Sequence, residues 1–215
     1  MYSHLFFDLD GTLTDPGEGI TNSVAYALKK RGIVVADRTE PNCFIGPPLT
    51  KSFMQYYGLS EEDATQAVTD YREYFVPHGM FENKVYDGIS DLLAGLKASG
   101  KRLIVATSKP EKFAIQILEH FGLLPYFDRV YGATMDLSRS KKGDVIAYAL
   151  REEKISPDEA LMIGDRHHDV DGAHENGLAA VGVLYGYGDR EEHEAAGADF
   201  IVATVRELGK LLGKS

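Results

Sequence analysis

Apolar positions along this chain fall into two rhythms. Short continuous runs, HLFFD (4–8), RLIVAT (102–107), ALMIG (160–164), AAVGVL (179–184) and FIV (200–202), show no strict alternation with polar residues. Such runs predict strands buried on both faces, as in a parallel sheet. Between them apolar residues recur every three or four positions. GISDLLAGLKASG (88–100) sets Ile89, Leu92, Leu93 and Leu96 on one stripe and stops at glycine. KFAIQILEHFG (112–122) does the same with Phe113, Ile117, Leu118 and Phe121. Both predict amphipathic helices. SPDEA (156–160) offers a Ser-Pro helix start, and TVRELGKLL (204–212) opens with a Thr-x-x-Glu capping box. Strands alternating with helices predict a layered α/β fold.

Residues 16–86 break this rhythm. GITNSVAYALKKRG (19–32), LTKSFMQYYG (49–58) and SEEDATQAVTDYREYFVPHG (60–79) read as helices, with no convincing buried strand among them. A connection of roughly seventy residues is too long for a simple strand-to-helix link, so it predicts a small domain of its own. The expected division is a core of residues 1–15 and 87–215 with a helical insertion at 16–86. The aromatic residues of YREYF (71–75) are expected in the core of that insertion rather than on a base-stacking surface.

Charge narrows the function. The 215 residues carry 23 Lys plus Arg against 33 Asp plus Glu, a net charge of −10. That balance disfavours nucleic acid and anionic membranes, while leaving room for a small anionic substrate beside a local cation. Cys43 is the single cysteine, so no disulfide forms within the chain, and beside Phe44 and Ile45 it reads as packing. No signal-peptide pattern opens the sequence, and GLAAVGVLYG (177–186) falls far short of the ~20 apolar residues of a membrane span. A cytoplasmic protein, monomeric or weakly dimeric, is expected.

Polar groups gather where the apolar runs stop. The first run ends at Asp8, followed by Asp10 and Gly11; the second ends at Thr107, Ser108 and Lys109; the third ends at Gly164 and Asp165, with Asp169 four residues on. RSKKGDVI (139–146) sets Lys141 and Lys142 at a helix start. In open α/β sheets ligands bind beyond the carboxyl ends of the strands. Asp8, Asp10 and Asp165 are oxygen donors suited to a hard cation such as Mg²⁺. A Thr107 hydroxyl and a Lys142 ammonium suit phosphate oxygens, and Gly11 permits a tight turn close to them. Carboxylates can accept phosphoryl groups covalently, and a second carboxylate can serve as acid and base.

Asp8-Leu9-Asp10-Gly11-Thr12, then Thr107, then Lys142, then Gly164-Asp165 with Asp169 resembles the four ordered motifs of haloacid-dehalogenase-like phosphatases, across the whole chain. FIGPPL (44–49), YREYF and VLYGYG (183–188) resemble the 5′-nucleotidase and phosphoglycolate-phosphatase branches. The resemblance implies a Rossmann-like parallel sheet core with an inserted all-helical cap domain. It implies that Asp8 is the phosphoryl-accepting nucleophile and a metal ligand. Asp10 would be acid and base, with its main-chain carbonyl on the metal. Thr107 and Ser108 would bind phosphate, Lys142 would neutralise it, Asp165 would complete the Mg²⁺ site, and Asp169 would support that site from behind. In the cap, Lys51 and Arg72 are candidate specificity residues. Asp10 argues against dehalogenation, since a halide leaves without a proton.

Other readings are weaker. His167 and His168 in DRHHDVD are adjacent and lack zinc-type spacing, so they are not expected to share an ion. GEG (17–19) and GYG (186–188) lack the third glycine of a dinucleotide fingerprint. A sugar-phosphate mutase fits the same motifs. A phospho-aspartate receiver module fits poorly, because the first strand carries DxDGT and a domain-sized insertion follows. The expected function is a Mg²⁺-dependent phosphatase acting on a small phosphorylated metabolite.

Overall fold

A computed structural model describes residues 2–35, 43–136 and 138–213. The chain opens with β1 (His4–Phe7) and a tight turn into the short β2 (Thr14–Asp15). Helices α1 (Gly17–Lys29), α2 (Leu49–Tyr57) and α3 (Glu61–Tyr74) follow, the last running into a π-helical turn at Phe75–Gly79. The chain returns along β3 (Lys84–Val85), which pairs with β2. Then come α4 (Ile89–Ala98), β4 (Arg102–Pro110), α5 (Glu111–His120), β5 (Arg129–Ala133), α6 (Lys142–Glu153) and β6 (Ala160–Gly164). The chain ends with α7 (His167–Glu175), β7 (Ala179–Val183), α8 (Arg190–Ala195), β8 (Phe200–Val202) and α9 (Val205–Leu211). Two compact units result, one of Met1–Thr14 with Val85–Ser215 and one of Asp15–Lys84. No helix among the described residues is long and apolar enough to cross a membrane.

The first unit is built on a six-stranded sheet in the order β5-β4-β1-β6-β7-β8, with every neighbouring pair parallel. Phe6 stands between Ile104 and Met162, and Phe7 between Val105 and Ile163. Side chains alternate across a strand. Phe6, Ile104, Met162 and Ala180 therefore share one face, where they pack with Val145, Ile146, Ala149 of α6 and Val170, Ala173 of α7. Leu5, Phe7, Val105 and Ile163 are equally buried on the other face. Burial on both faces is why these strands read as unbroken apolar runs. Chain order steps outward from β1 through β4 to β5, then jumps back to β6 on the other side. That reversal is the switch point where such sheets form a crevice.

Four features depart from the sequence pattern. β5 was not marked by it, because RVYGA mixes Arg129 and Gly132 into an edge strand that pairs only with β4. SPDEA forms a 3₁₀ turn at Pro157–Glu159 that leads directly into β6, so it starts no helix. The helix expected over 60–79 changes at Phe75 into the π-helical turn, since Pro77 has no N–H to donate and its ring crowds the preceding turn. FIV does form β8, but at the other edge of the sheet with Phe200 exposed, so it is not buried on both faces. Ser60 caps α3 through Asp63 N–H, and Thr204 caps α9 through Glu207 N–H.

In the second unit α1 and α2 both pack on α3. Val24, Leu28, Ala67, Tyr71 and Phe75 are buried, and the Tyr71 and Phe75 rings stack at 5.2 Å. Phe44 and Ile45 are buried beside the half-buried Cys43. Asp70 of α3 is also buried, accepting from Lys30 at 2.8 Å and Arg31 at 2.7 Å just beyond α1.

Candidate active site

β1 lies at the centre of the sheet, so its carboxyl end is flanked by the ends of β4 and β6. Asp8 N–H donates to Ile163 O at 2.9 Å, which carries the strand pairing up to the first carboxylate. Asp8 Oδ1 accepts from Leu9 N–H at 2.8 Å and from Lys142 Nζ at 2.8 Å. Lys142, at the start of α6, also reaches Asp169 Oδ1 at 2.8 Å and Ala106 O at 3.0 Å. Its neighbour Lys141 is exposed. Burial pulls the Lys142 ammonium toward a lower pKa, but Asp169 and Asp8 outweigh it and hold the group above the usual lysine value.

Asp10 turns another way. Its Oδ2 pairs with Lys109 Nζ at 2.6 Å, while the buried Oδ1 has no hydrogen-bond partner among the described residues. Burial raises the Asp10 carboxyl above its ordinary pKa despite Lys109. Thr107 is buried, and its Oγ1 accepts from Lys109 N–H at 3.2 Å. Ser108 is half-buried. Neither hydroxyl caps α5, whose N-cap position is Pro110. The register explains how these residues are aimed. Between Ala106 and Pro110, β4 advances four residues while β5 advances two, from Tyr131 to Ala133. Extra residues of this kind bend a strand and redirect its side chains.

Asp165 completes the group. Oxygen atoms of Asp8, Asp165 and Asp169 lie within 4.8 Å of one another. Asp165 Oδ2 accepts from Tyr187 N–H at 2.9 Å, and its buried Oδ1 has no hydrogen-bond partner among the described residues. Burial first, then the charges of Asp169 and Asp8, push its carboxyl well above the usual carboxylate range. Asp169 engages both oxygens, one with Lys142 and the other with Arg166 N–H at 3.1 Å. Burial raises it to about 6 against the pull of Lys142. An orphaned carboxylate oxygen inside an all-oxygen cluster fits a hard divalent cation, which would relieve the crowding of like charges. The Asp10 side chain stands apart from this trio on Lys109, leaving its main-chain carbonyl as the atom it could offer a metal.

Two features escaped the sequence reading. Lys109 was visible only as the residue after Thr107-Ser108, with nothing to show that it would meet Asp10. The GYG at 186–188 gave no dinucleotide fingerprint, yet it frames Asp165. A Cβ at Gly186 would overlap both Asp165 and the Gly11 carbonyl, and one at Gly11, whose φ is 80°, would overlap Asp165 Oδ2. Lys51 and Arg72 belong to the second unit, exposed on α2 and half-buried on α3. The two adjacent histidines lie side by side at the start of α7. Their rings lie 3.8 Å apart, and with Asp171 their donor atoms fall within 4.8 Å, because α7 begins at His167 and brings residue 171 one turn on. His167 Nδ1 sits 2.9 Å from Asp171 Oδ2.

The family model for haloacid dehalogenase-like hydrolases matches residues 5–183. The chain belongs to that family. This hydrolase is 46% identical over 211 residues to a 5′-nucleotidase of Pseudomonas aeruginosa, covering 98% of this chain and 96% of that one. It is 40% identical over 211 residues to the tyrosine-protein kinase PtkA of Mycobacterium tuberculosis, covering 97% of this chain and 72% of that protein. The crystal structure of a predicted phosphatase from Clostridium acetobutylicum superposes with a TM-score of 0.95 at 54% identity, covering 99% of this chain and 98% of that one.

Proposed function

We propose that this hydrolase is a Mg²⁺-dependent phosphatase that cleaves a small phosphate monoester, a nucleoside monophosphate or a phosphoglycolate-like ester, through an aspartyl-phosphate on Asp8. The observation that carries this reading is the state of Asp8. One oxygen is held by Lys142 and Leu9 N–H, and the other is left to attack, beside an orphaned Asp165 oxygen. Asp8 Oδ2 attacks phosphorus, the bond to the leaving oxygen breaks, and Asp10 gives that oxygen a proton. Water then attacks the aspartyl-phosphate, Asp10 takes its proton, and Asp8 is restored with release of phosphate. Thr107, Ser108 and Lys142 hold the phosphate oxygens through both steps. Asp8, Asp165 and the Asp10 main-chain carbonyl would hold the Mg²⁺, with Asp169 in support, and the bound ion would supply positive charge for the phosphate.

We assign substrate choice to the helical unit as a cap, with Lys51 and Arg72 its candidate cations, because Asp15–Lys84 carries none of the four motifs. Likeness to the P. aeruginosa 5′-nucleotidase supports a nucleoside monophosphate as the substrate of this chain. A cytoplasmic enzyme, monomeric or weakly dimeric, remains our expectation. An aspartyl-phosphate can also pass to another hydroxyl, so the kinase named among the relatives marks a second acceptor to test.

The test is a panel of phosphate esters with product analysis, including nucleoside monophosphates, phosphoglycolate, sugar phosphates and phosphotyrosine peptides. Inorganic phosphate should appear from at least one nucleoside monophosphate or phosphoglycolate, stop with EDTA and resume with Mg²⁺. Full turnover after exhaustive chelation contradicts the metal site. An isomerised ester without free phosphate would identify a mutase, and transfer of the phosphoryl group from an ester to the hydroxyl of an added unphosphorylated tyrosine peptide would identify a phosphotransferase.

A further inference from the structure

We propose that Lys109 is a positioning residue for proton transfer: by gripping one oxygen of Asp10 it makes the other, Oδ1, the atom that gives and takes the proton. The inference rests on the phosphatase reading and adds a residue to it. Lys109 and Asp10 meet at 2.6 Å with side chains only 7% and 14% exposed, so the pair is sheltered from solvent. Lys109 N–H also donates to Thr107 Oγ1 at 3.2 Å. One residue thus ties the proton-transfer carboxylate of β1's end to the phosphate-binding hydroxyl of β4's end. The irregular register of β4 at this point lets the lysine return toward Asp10.

A carboxyl group left alone turns readily about its terminal bond, so its two oxygens exchange. An ammonium offers only donors. The oxygen it grips, Oδ2, cannot also carry a proton toward it, so the acidic hydrogen of Asp10 belongs on Oδ1. That atom is buried and has no partner among the described residues. In the first step the Asp8 oxygen bonds to phosphorus, the ester P–O bond breaks, and the proton moves from Oδ1 to the leaving oxygen. In the second, water oxygen bonds to phosphorus, the P–O bond to Asp8 breaks, and a water proton moves to Oδ1.

The test compares Lys109→Met and Lys109→Arg with wild type on an alkyl phosphate accepted in the ester panel and on p-nitrophenyl phosphate. Each enzyme is followed by rapid quench and intact-protein mass spectrometry, with thermal unfolding as the folding control. A proton donor contributes about 100-fold or more to breaking a bond to a poor leaving group. Lys109→Met should lose about that factor on the alkyl ester. It should still release nitrophenolate in a burst and then accumulate phosphorylated protein, because the second step lacks an aligned base. Lys109→Arg, which keeps a donor, should recover most of the rate. Equal losses on both esters with no accumulation, or no loss at all, overturns the role of Lys109 while the phosphatase reading stands. Failure of wild type to form an adduct or release phosphate overturns both. If Lys109→Met does not fold, Lys109→Ala takes its place: loss confined to the alkyl ester with phosphorylated protein accumulating supports the proposal, and equal loss on both esters or no loss overturns it.

Discussion

Gly186 sits where a single added methyl group would meet both the Asp165 side chain and the Gly11 carbonyl. Among the described residues, Asp165 is anchored through one oxygen, by Tyr187 N–H. Disturbing the partners that orient a metal-ligating carboxylate costs about 10–100-fold in metal affinity. We expect Gly186→Ala to raise the Mg²⁺ concentration for half-maximal activity by about that factor, read from a Mg²⁺ titration of turnover. An unchanged requirement would mean that the 184–189 loop does not hold this carboxylate in place. At the scale of single residues, the carboxylates were legible because each follows an apolar run that ends abruptly. The glycine's role was not, since its reason is a neighbour about twenty residues away in sequence. Lys109 was equally silent, because a lysine that follows a strand looks the same whether it meets water or Asp10.

The joint between α1 and α3 offers a test that is independent of chemistry. Asp70 is buried between Lys30 and Arg31, tying the end of α1 to α3. Burial alone would raise its pKa, but the hydrogen bonds from Lys30 and Arg31 outweigh it and hold the carboxyl below its ordinary 3.8. A lowered folded value means that the stability it contributes is fully present above the unfolded value and is lost as pH falls through the folded one. Asp70→Ala should cost about 1–2 kcal/mol near neutral pH, after allowing for screening at the surface side of the pair. The gap from wild type should narrow as pH drops below 3.8. Denaturant unfolding at neutral pH and at pH near 3 measures both; a gap independent of pH would assign the loss to packing. The helices themselves were legible from apolar spacing and caps. The turn at Phe75–Gly79 was not, because Pro77 ends the helix by a backbone conflict that apolar spacing does not register.

Across the whole molecule, a net charge of −10 coexists with two sheltered lysines, Lys109 and Lys142, each paired with one aspartate of Asp8-Leu9-Asp10. That local arrangement lets an acidic protein accept an anionic ester. The sheet was legible through strands buried on both faces, and β5 escaped because an edge strand can afford Arg129 and Gly132. The order of the strands lies in the pairing of distant segments, which puts Asp8, Lys142 and Asp165 together across more than 150 residues of chain. The central claim is that Asp8 carries the phosphoryl group. Rapid-quench peptide mass spectrometry with p-nitrophenyl phosphate tests it in wild type, Asp8→Asn and Asp10→Asn. A phosphoryl adduct on the Asp8 peptide of wild type, accumulating in Asp10→Asn and missing from Asp8→Asn, is the predicted result. An adduct that survives in Asp8→Asn, or phosphate released by wild type with no adduct at any time, would contradict it.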